Sequence, residues 1–216
     1  MKLIEAVDLV CGYQGINVCG PISLELDRGH VLVVHGPNGI GKTTFLRTLS
    51  GFLKPIEGGV FILGSEPKGS VLREIFYLPE QVDVPGPLTV RDLVEIYRVL
   101  YRLPKEEVLE RAERASRILS IDKLMSVRLD RISQGQRRRA QLLVAYAMGR
   151  RINFIDDPLT AIDAGLLEGS LASLLMDLVL DGAAVLTFRD LNEAMKKAFA
   201  DLNISYLDMK KYSLTV

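Results

Sequence analysis

The sequence predicts an α/β fold: a mixed, largely parallel sheet with helices on both faces, an antiparallel β-layer at its N-terminal side and an inserted helical subdomain. Three observations carry this expectation. Val31 to His35, a short β-branched run, feeds a glycine-rich loop and then a helical stretch from Phe45 to Ser50. Two later apolar runs, Ile152 to Ile155 and Ala183 to Thr187, also precede helical patterns. Between Val82 and Asp130 only helical patterns occur. The 216 residues allow one domain, 1–216, with 82–130 as the subdomain within it.

The elements follow in order. Lys2 to Val10 alternates as a half-buried strand, with Gly12-Tyr13 in a loop after it. Ile22 to Leu26 is a second alternating strand, and Asp27-Arg28-Gly29 turns it back. The next strand runs into Gly36-Pro37-Asn38-Gly39-Ile40-Gly41-Lys42-Thr43-Thr44, which has the form G-x-x-x-x-G-K-T of a phosphate-binding loop. A strand, a glycine loop and a helix start aim backbone N–H groups at one point, which suits a triphosphate. Lys42 would reach the β- and γ-phosphates, and the Thr43 hydroxyl would hold Mg²⁺. Gly51 and Pro55 end the first helix.

Val60 to Leu63 and Ile75 to Leu78 read as strands. Gln81 follows the second, where a strand's C-terminal end suits a ligand and an amide oxygen can meet Mg²⁺ or water. Asp83, Pro85, Gly86 and Pro87 form a stiff linker; Val84, Pro85 and Leu88 are expected to be exposed if it docks on a partner. Thr89 caps a helix to about Tyr101, and Lys105 to Leu119 is a second, charge-rich one. Ser133 is a plausible N-cap for a helix from Arg137 to about Met148, and a Ser-Gly pair there faces anions. Arg137, Arg138 and Arg139 read as a solvated or domain-facing turn rather than a nucleic-acid patch. Asp156 and Asp157 end the Ile152 strand; the first suits an outer-sphere Mg²⁺ contact, the second the polarising of a water. A long helix runs to Leu180, and Asp190 caps another from Leu191 to Ala200. Ile204 to Val216 reads as a terminal hairpin turning near Asp208 to Lys210.

Bulk properties exclude some functions. Lys+Arg and Asp+Glu are both 27, so the net charge is zero and gives no support for nucleic-acid binding. No apolar run approaches a bilayer's span, and the N-terminus lacks a signal-peptide core. Cys11 and Cys19 form no C-x-x-C motif and read as reduced thiols.

The order of motifs resembles the ATP-binding cassette (ABC) ATPases over essentially the whole chain. They are the phosphate loop, Gln81 after a strand, I-S-Q-G-Q at a helix start, D-D-P, T-A-I-D and R-D-L-N-E-A. The resemblance implies a cytoplasmic subunit that binds ATP and Mg²⁺ and is docked on membrane-spanning transporter subunits. It would pair with a second cassette chain, in a homodimer or a heterodimer. Tyr13 would then stack on adenine, although a loop tyrosine also fits surface packing. Ser133, Gly135 and Gln136 would bind the γ-phosphate held by the opposite subunit, and Asp163 would contact that subunit. Lys42, Gln81, Asp157 and Arg189 would form the catalytic set, with Thr43, Gln81 and Asp156 on the metal. The short length, G-Q-R-R-R and T-A-I-D lean toward haem-exporter-like members. Three positions depart from the pattern: Gln134 replaces the usual glycine, Asp157 the catalytic glutamate and Arg189 the switch histidine. The Gln134 position varies, whereas Asp157 and Arg189 imply slow hydrolysis; a clamp or scaffold with little turnover, or a non-transport cassette ATPase, are the alternatives.

Overall fold

A computed structural model describes residues 2–82, 87–159 and 164–214. Two sheets organise them. The smaller is antiparallel and holds β1 (Lys2–Tyr13), β2 (Ile16–Asp27) and β4 (Glu57–Ile62) in the order β2-β1-β4. Gln14 and Gly15, with φ of 51° and 81°, join β1 to β2. Two left-handed residues in a row match the twist of a tight hairpin. Tyr13 therefore ends a strand rather than sitting in a loop: it pairs with Ile16 across that turn. Cys11 and Cys19 are free, buried and opposite each other in the same hairpin.

The larger sheet contains β3 (His30–His35), β5 (Ile75–Leu78), β6 (Ile152–Ile155), β7 (Ala183–Phe188) and β8 (Asn203–Asp208), in the order β5-β6-β7-β3-β8. Every pair in it is parallel. The expected terminal hairpin is not there: β8 runs parallel to β3, with Ile204 beside Val31. The Asp208 carboxylate then caps a short turn at Met209–Lys211, and Ser213 bridges back to Cys19. Alternation marks an edge strand but cannot tell which neighbour it pairs with or in which direction.

The period of two along β3 divides the core. Val31 and Val33 face one apolar cluster, Leu32 and Val34 the other. The second cluster joins the sheet to α1 (Lys42–Leu49), through Phe45, Leu46 and Leu49, and to the antiparallel layer. The first contains α2 (Val90–Tyr101), α3 (Lys105–Ile118), α4 (Gln134–Met148) and α5 (Ala164–Val179). α4 is buried almost all round, from Ala140 to Met148. α2 and α3 pack on it, so the charge-rich stretch presents one apolar side inward.

Helix starts follow side-chain chemistry. Thr89 and Asp92 make a reciprocal capping box at α2. Ser133 does cap α4, which begins at Gln134, three residues before the expected Arg137. Asn192, not Asp190, caps α6 (Glu193–Ala198): its side-chain oxygen accepts from the Met195 N–H at 2.7 Å, while Asp190 stays in solvent. Leu88 is half-buried against the core rather than exposed. Val84, Pro85 and Thr160 to Asp163, with the role expected for Asp163, lie outside the described residues.

Candidate functional site

The ends of β3, β6 and β7 converge on one cleft of about 670 Å³. Its floor is the glycine loop between β3 and α1. Gly36, Gly39 and Gly41 hold φ of 150°, 80° and 104°. Gly41 is the strictest: it N-caps α1, and a Cβ there would stand 2.9 Å from a Val18 methyl. Pro37, Asn38 and Gly39 are exposed and Ile40 half-buried, so the loop's crest faces outward. The Lys42 ammonium folds back along it and donates to the carbonyls of Gly36 and Pro37, at 2.6 and 3.0 Å. Burial pulls the Lys42 pKa below its ordinary value, against the opposing fields of Asp157, Asp156, Glu80 and Asp190. Thr44, buried, accepts through its carbonyl from the Thr48 hydroxyl and braces the helix's first turns.

The opposite wall is the tip of β6. Asp156 is 3% exposed, and its two carboxylate oxygens accept from the hydroxyls of Thr43, at 2.7 Å, and Thr187. Thr187 in turn accepts from the Asp157 N–H at 2.9 Å. The Asp156 N–H donates to Leu78 of β5. Through its carboxylate and its backbone N–H, Asp156 at the end of β6 thus ties the start of α1 to the ends of β7 and β5. A hydroxyl beside a carboxylate is a hard-oxygen pair, the donor type that Mg²⁺ takes. Asp157 follows with φ of 42° and lines the cleft. Arg189 lines it as well, yet its guanidinium sits 3.7 Å from the Asp190 carboxylate.

Other expected residues lie elsewhere. Gln81 is exposed and is not among the residues lining the cleft; its neighbour Glu80 is. Tyr13 is 40% exposed and stands beside Arg47 of α1, whose pKa is raised mainly by Tyr77 and to a lesser extent by Tyr13. Val18 of β2 lines the cleft instead. Ser133 and Gln136 are engaged in their own capping box, Ser133 Oγ accepting from the Gln136 N–H at 3.1 Å and Gln136 Oε1 from the Ser133 N–H at 2.9 Å. With Gly135 they start α4 at a separate place from the cleft.

Of the two arrangements expected for the three arginines that follow, solvated or domain-facing, the structure has them turned onto the chain's own backbone. Arg137 donates to the Leu129 carbonyl, Arg139 to that of Leu119, and Arg138 to those of Pro79, Asp156 and Asp157. Arg138 is 4% exposed, and burial pulls its pKa down to about 10. Sequence reasoning missed Val18, Glu80, Thr187 and Arg138. Only Thr187 carried a signal, a hydroxyl inside an otherwise apolar strand.

Comparisons agree with this geometry. The profile of the family described as "ABC transporter" matches residues 19–160. The ferric enterobactin transport ATP-binding protein of Escherichia coli is 33% identical over 168 residues, 74% of this chain and 62% of that protein. The achromobactin transport ATP-binding protein of Dickeya dadantii is 30% identical over 76% of this chain and 64% of its own length. The chain thus spans under two thirds of the length of these relatives. The high-affinity zinc uptake system ATP-binding protein of Bacillus subtilis is 31% identical, covering 76% of this chain and 73% of that one. Among solved structures, a putative ABC transporter ATP-binding protein from Pyrococcus furiosus superposes with a TM-score of 0.83 at 32% identity, over 97% of this chain and 98% of its own.

Proposed function

Because the chain belongs to the ABC transporter family, we propose that it is the ATP-binding and hydrolysing subunit of a transporter whose membrane-spanning parts are separate chains. The observation that carries this reading is the 2.7 Å contact between Thr43 and Asp156, set beside Lys42 across an open cleft. Lys42 would exchange its two loop carbonyls for phosphate oxygens. Thr43 and Asp156 would hold Mg²⁺, which supplies charge neutralisation at the phosphates. Asp157 would orient the attacking water, and Arg189 would face the γ-phosphate. Gln81, though exposed, would reach the site only if the loop after β5 moves inward. Tyr13 would stack on adenine only by leaving Arg47.

Ser133, Gly135 and Gln136 are proposed to serve the nucleotide of a second cassette chain, which fits their position away from this chain's own cleft. Residues 82–130 would then be the subdomain that meets the membrane partner, with the chain peripheral on the inner face of the membrane. No helix among the described residues is long and apolar enough to cross a membrane. Asp157 and Arg189 favour slow turnover, and a clamp that holds ATP is the second reading they support. Calorimetry with Mg·ATP, followed by phosphate release against protein concentration, tests both. No ATP binding sinks the proposal; binding without turnover leaves the clamp.

A further inference from the structure

Among the described residues, Arg138 is a buried cation with no carboxylate among its hydrogen bonds, although the charges of Asp157, Asp156 and Glu80 act on it from nearby. Its guanidinium donates to the carbonyls of Pro79, at 2.8 Å, of Asp156, and of Asp157, at 3.1 Å, and to the side-chain oxygen of Gln141 at 3.0 Å. Burying a charge is costly even when it is well hydrogen-bonded, and an apolar side chain packs such a site as well or better. Packing alone does not account for this arginine. What it holds does. Asp157 has φ of 42°, a left-handed backbone disfavoured for a residue with a Cβ, and Pro158 after it further restricts its conformation. Thr187 fixes the N–H of Asp157, and Arg138 fixes the carbonyls on both sides of it. The Pro79 carbonyl begins the Glu80-Gln81 loop. Arg138 lies five residues after Ser133 on the same helix.

We propose that Arg138 is a positioning residue that holds the strained Asp157 turn and the Glu80-Gln81 loop in register with the helix that begins at Ser133. One planar fork grips three carbonyls from two strand ends, so a shift of α4 moves both. Through it, whatever Ser133 meets is felt at Asp157. This rests on reading the cleft as an ATPase site.

The test compares the full chain with Arg138→Gln, Arg138→Lys and, as a control, Arg139→Gln, whose wild-type side chain donates, among the described residues, to the Leu119 carbonyl. Three quantities are read: amide hydrogen exchange over residues 153–159, Mg·ATP affinity by calorimetry, and turnover at saturating ATP. In Arg138→Gln, exchange at Asp157 should rise about tenfold or more. ATP affinity should stay within about twofold, because no phosphate contact is lost. Turnover should fall roughly ten- to hundredfold, as expected for a displacement near 1 Å. Lys carries the charge but not the fork and should recover only part; it also carries the test if the Gln variant fails to fold. Unchanged exchange, an equal effect in Arg139→Gln, or affinity falling together with turnover overturns the proposal. If the wild-type chain turns over no faster than Lys42→Ala, the hydrolysis reading fails instead. Exchange and affinity then still decide the role of Arg138.

Discussion

The Thr43 hydroxyl donates to the Asp156 carboxylate at 2.7 Å across 113 residues of chain, joining the start of α1 to the end of β6. Thr187 meets the other oxygen of the same carboxylate. Asp156 is thus buried and, among the described residues, satisfied on both sides by hydroxyls rather than by a salt bridge, and the bonds join the cleft's two walls.

Thr187→Val should test that strut. It removes the donor to Asp156 and leaves the Asp157 N–H without its acceptor. A buried group left unpaired costs about 1–3 kcal/mol. For a chain of this size the melting temperature should fall by roughly 2–4 °C per kcal/mol. Thermal unfolding followed by circular dichroism gives the answer; an unchanged midpoint means that water replaces the hydroxyl.

Lys42→Ala should weaken Mg·ATP binding severely while the fold persists. Charge-assisted hydrogen bonds contribute about 1.5–3 kcal/mol each, roughly ten- to hundredfold in affinity. The lysine's two bonds are to loop carbonyls, so its loss leaves no buried anion unpaired. Equal affinity in the two proteins by calorimetry removes the phosphate-loop assignment.

Gly41→Ala should separate backbone geometry from charge. At φ of 104° any side chain is strained, and the Cβ would press on Val18 at 2.9 Å. Backbone strain of this kind costs about 1–3 kcal/mol. Native stability should fall by that order, and ATP affinity should drop although Lys42 is intact. A variant that binds ATP as tightly as wild type shows that the loop relaxes around the methyl.

These positions differ in how much the sequence told. The glycine loop was legible because its chemistry is local: Gly36, Gly39 and Gly41 occupy the left-handed backbone that only their spacing anticipates. Ser133 was legible for the same reason, since a cap and its helix are neighbours. Thr187, Glu80 and Val18 were not, because sheet order brings them to the cleft from distant strands and loops. Nor was the inward turn of Arg138, because three arginines in a row look alike until α4 is placed against β5 and β6. The parallel pairing of β8 escaped for a related reason: a polar edge strand and a hairpin strand alternate identically.

Asp157→Glu should speed hydrolysis. Aspartate's carboxylate stops about 1.5 Å short of where glutamate's would lie, and a misplacement near 1 Å can cost about 10²-fold. Asp157 already lines the cleft from a left-handed backbone clamped by Thr187 and Arg138. The turn is therefore held, and only the reach of the side chain changes. Arg189 lies beside Asp190 rather than in an ion pair with Asp157, so Arg189→His should not be needed to free the carboxylate. Turnover of Asp157→Glu, alone and with Arg189→His, decides this; equal or lower rates in both mean that Asp157 itself suffices or that the clamp reading holds.

The last prediction concerns pairing. A composite site would take Lys42, Asp156, Asp157 and Arg189 from one chain and Ser133, Gly135 and Gln136 from the other. The departures proposed to slow the chemistry, Asp157 and Arg189, lie on the first side, while the capping box of the second side is intact. Paired with itself, the chain should build two slow sites and stay closed with ATP bound. Paired with a cassette carrying glutamate and histidine, it should complete one fast site and one storage site. Light scattering in Mg·ATP should therefore show a persistent dimer, with phosphate release that remains slow as protein concentration rises. Brisk, concentration-dependent release by the chain alone would falsify this, and would make Asp157, held by Arg138 and Thr187, a sufficient base in a competent homodimer.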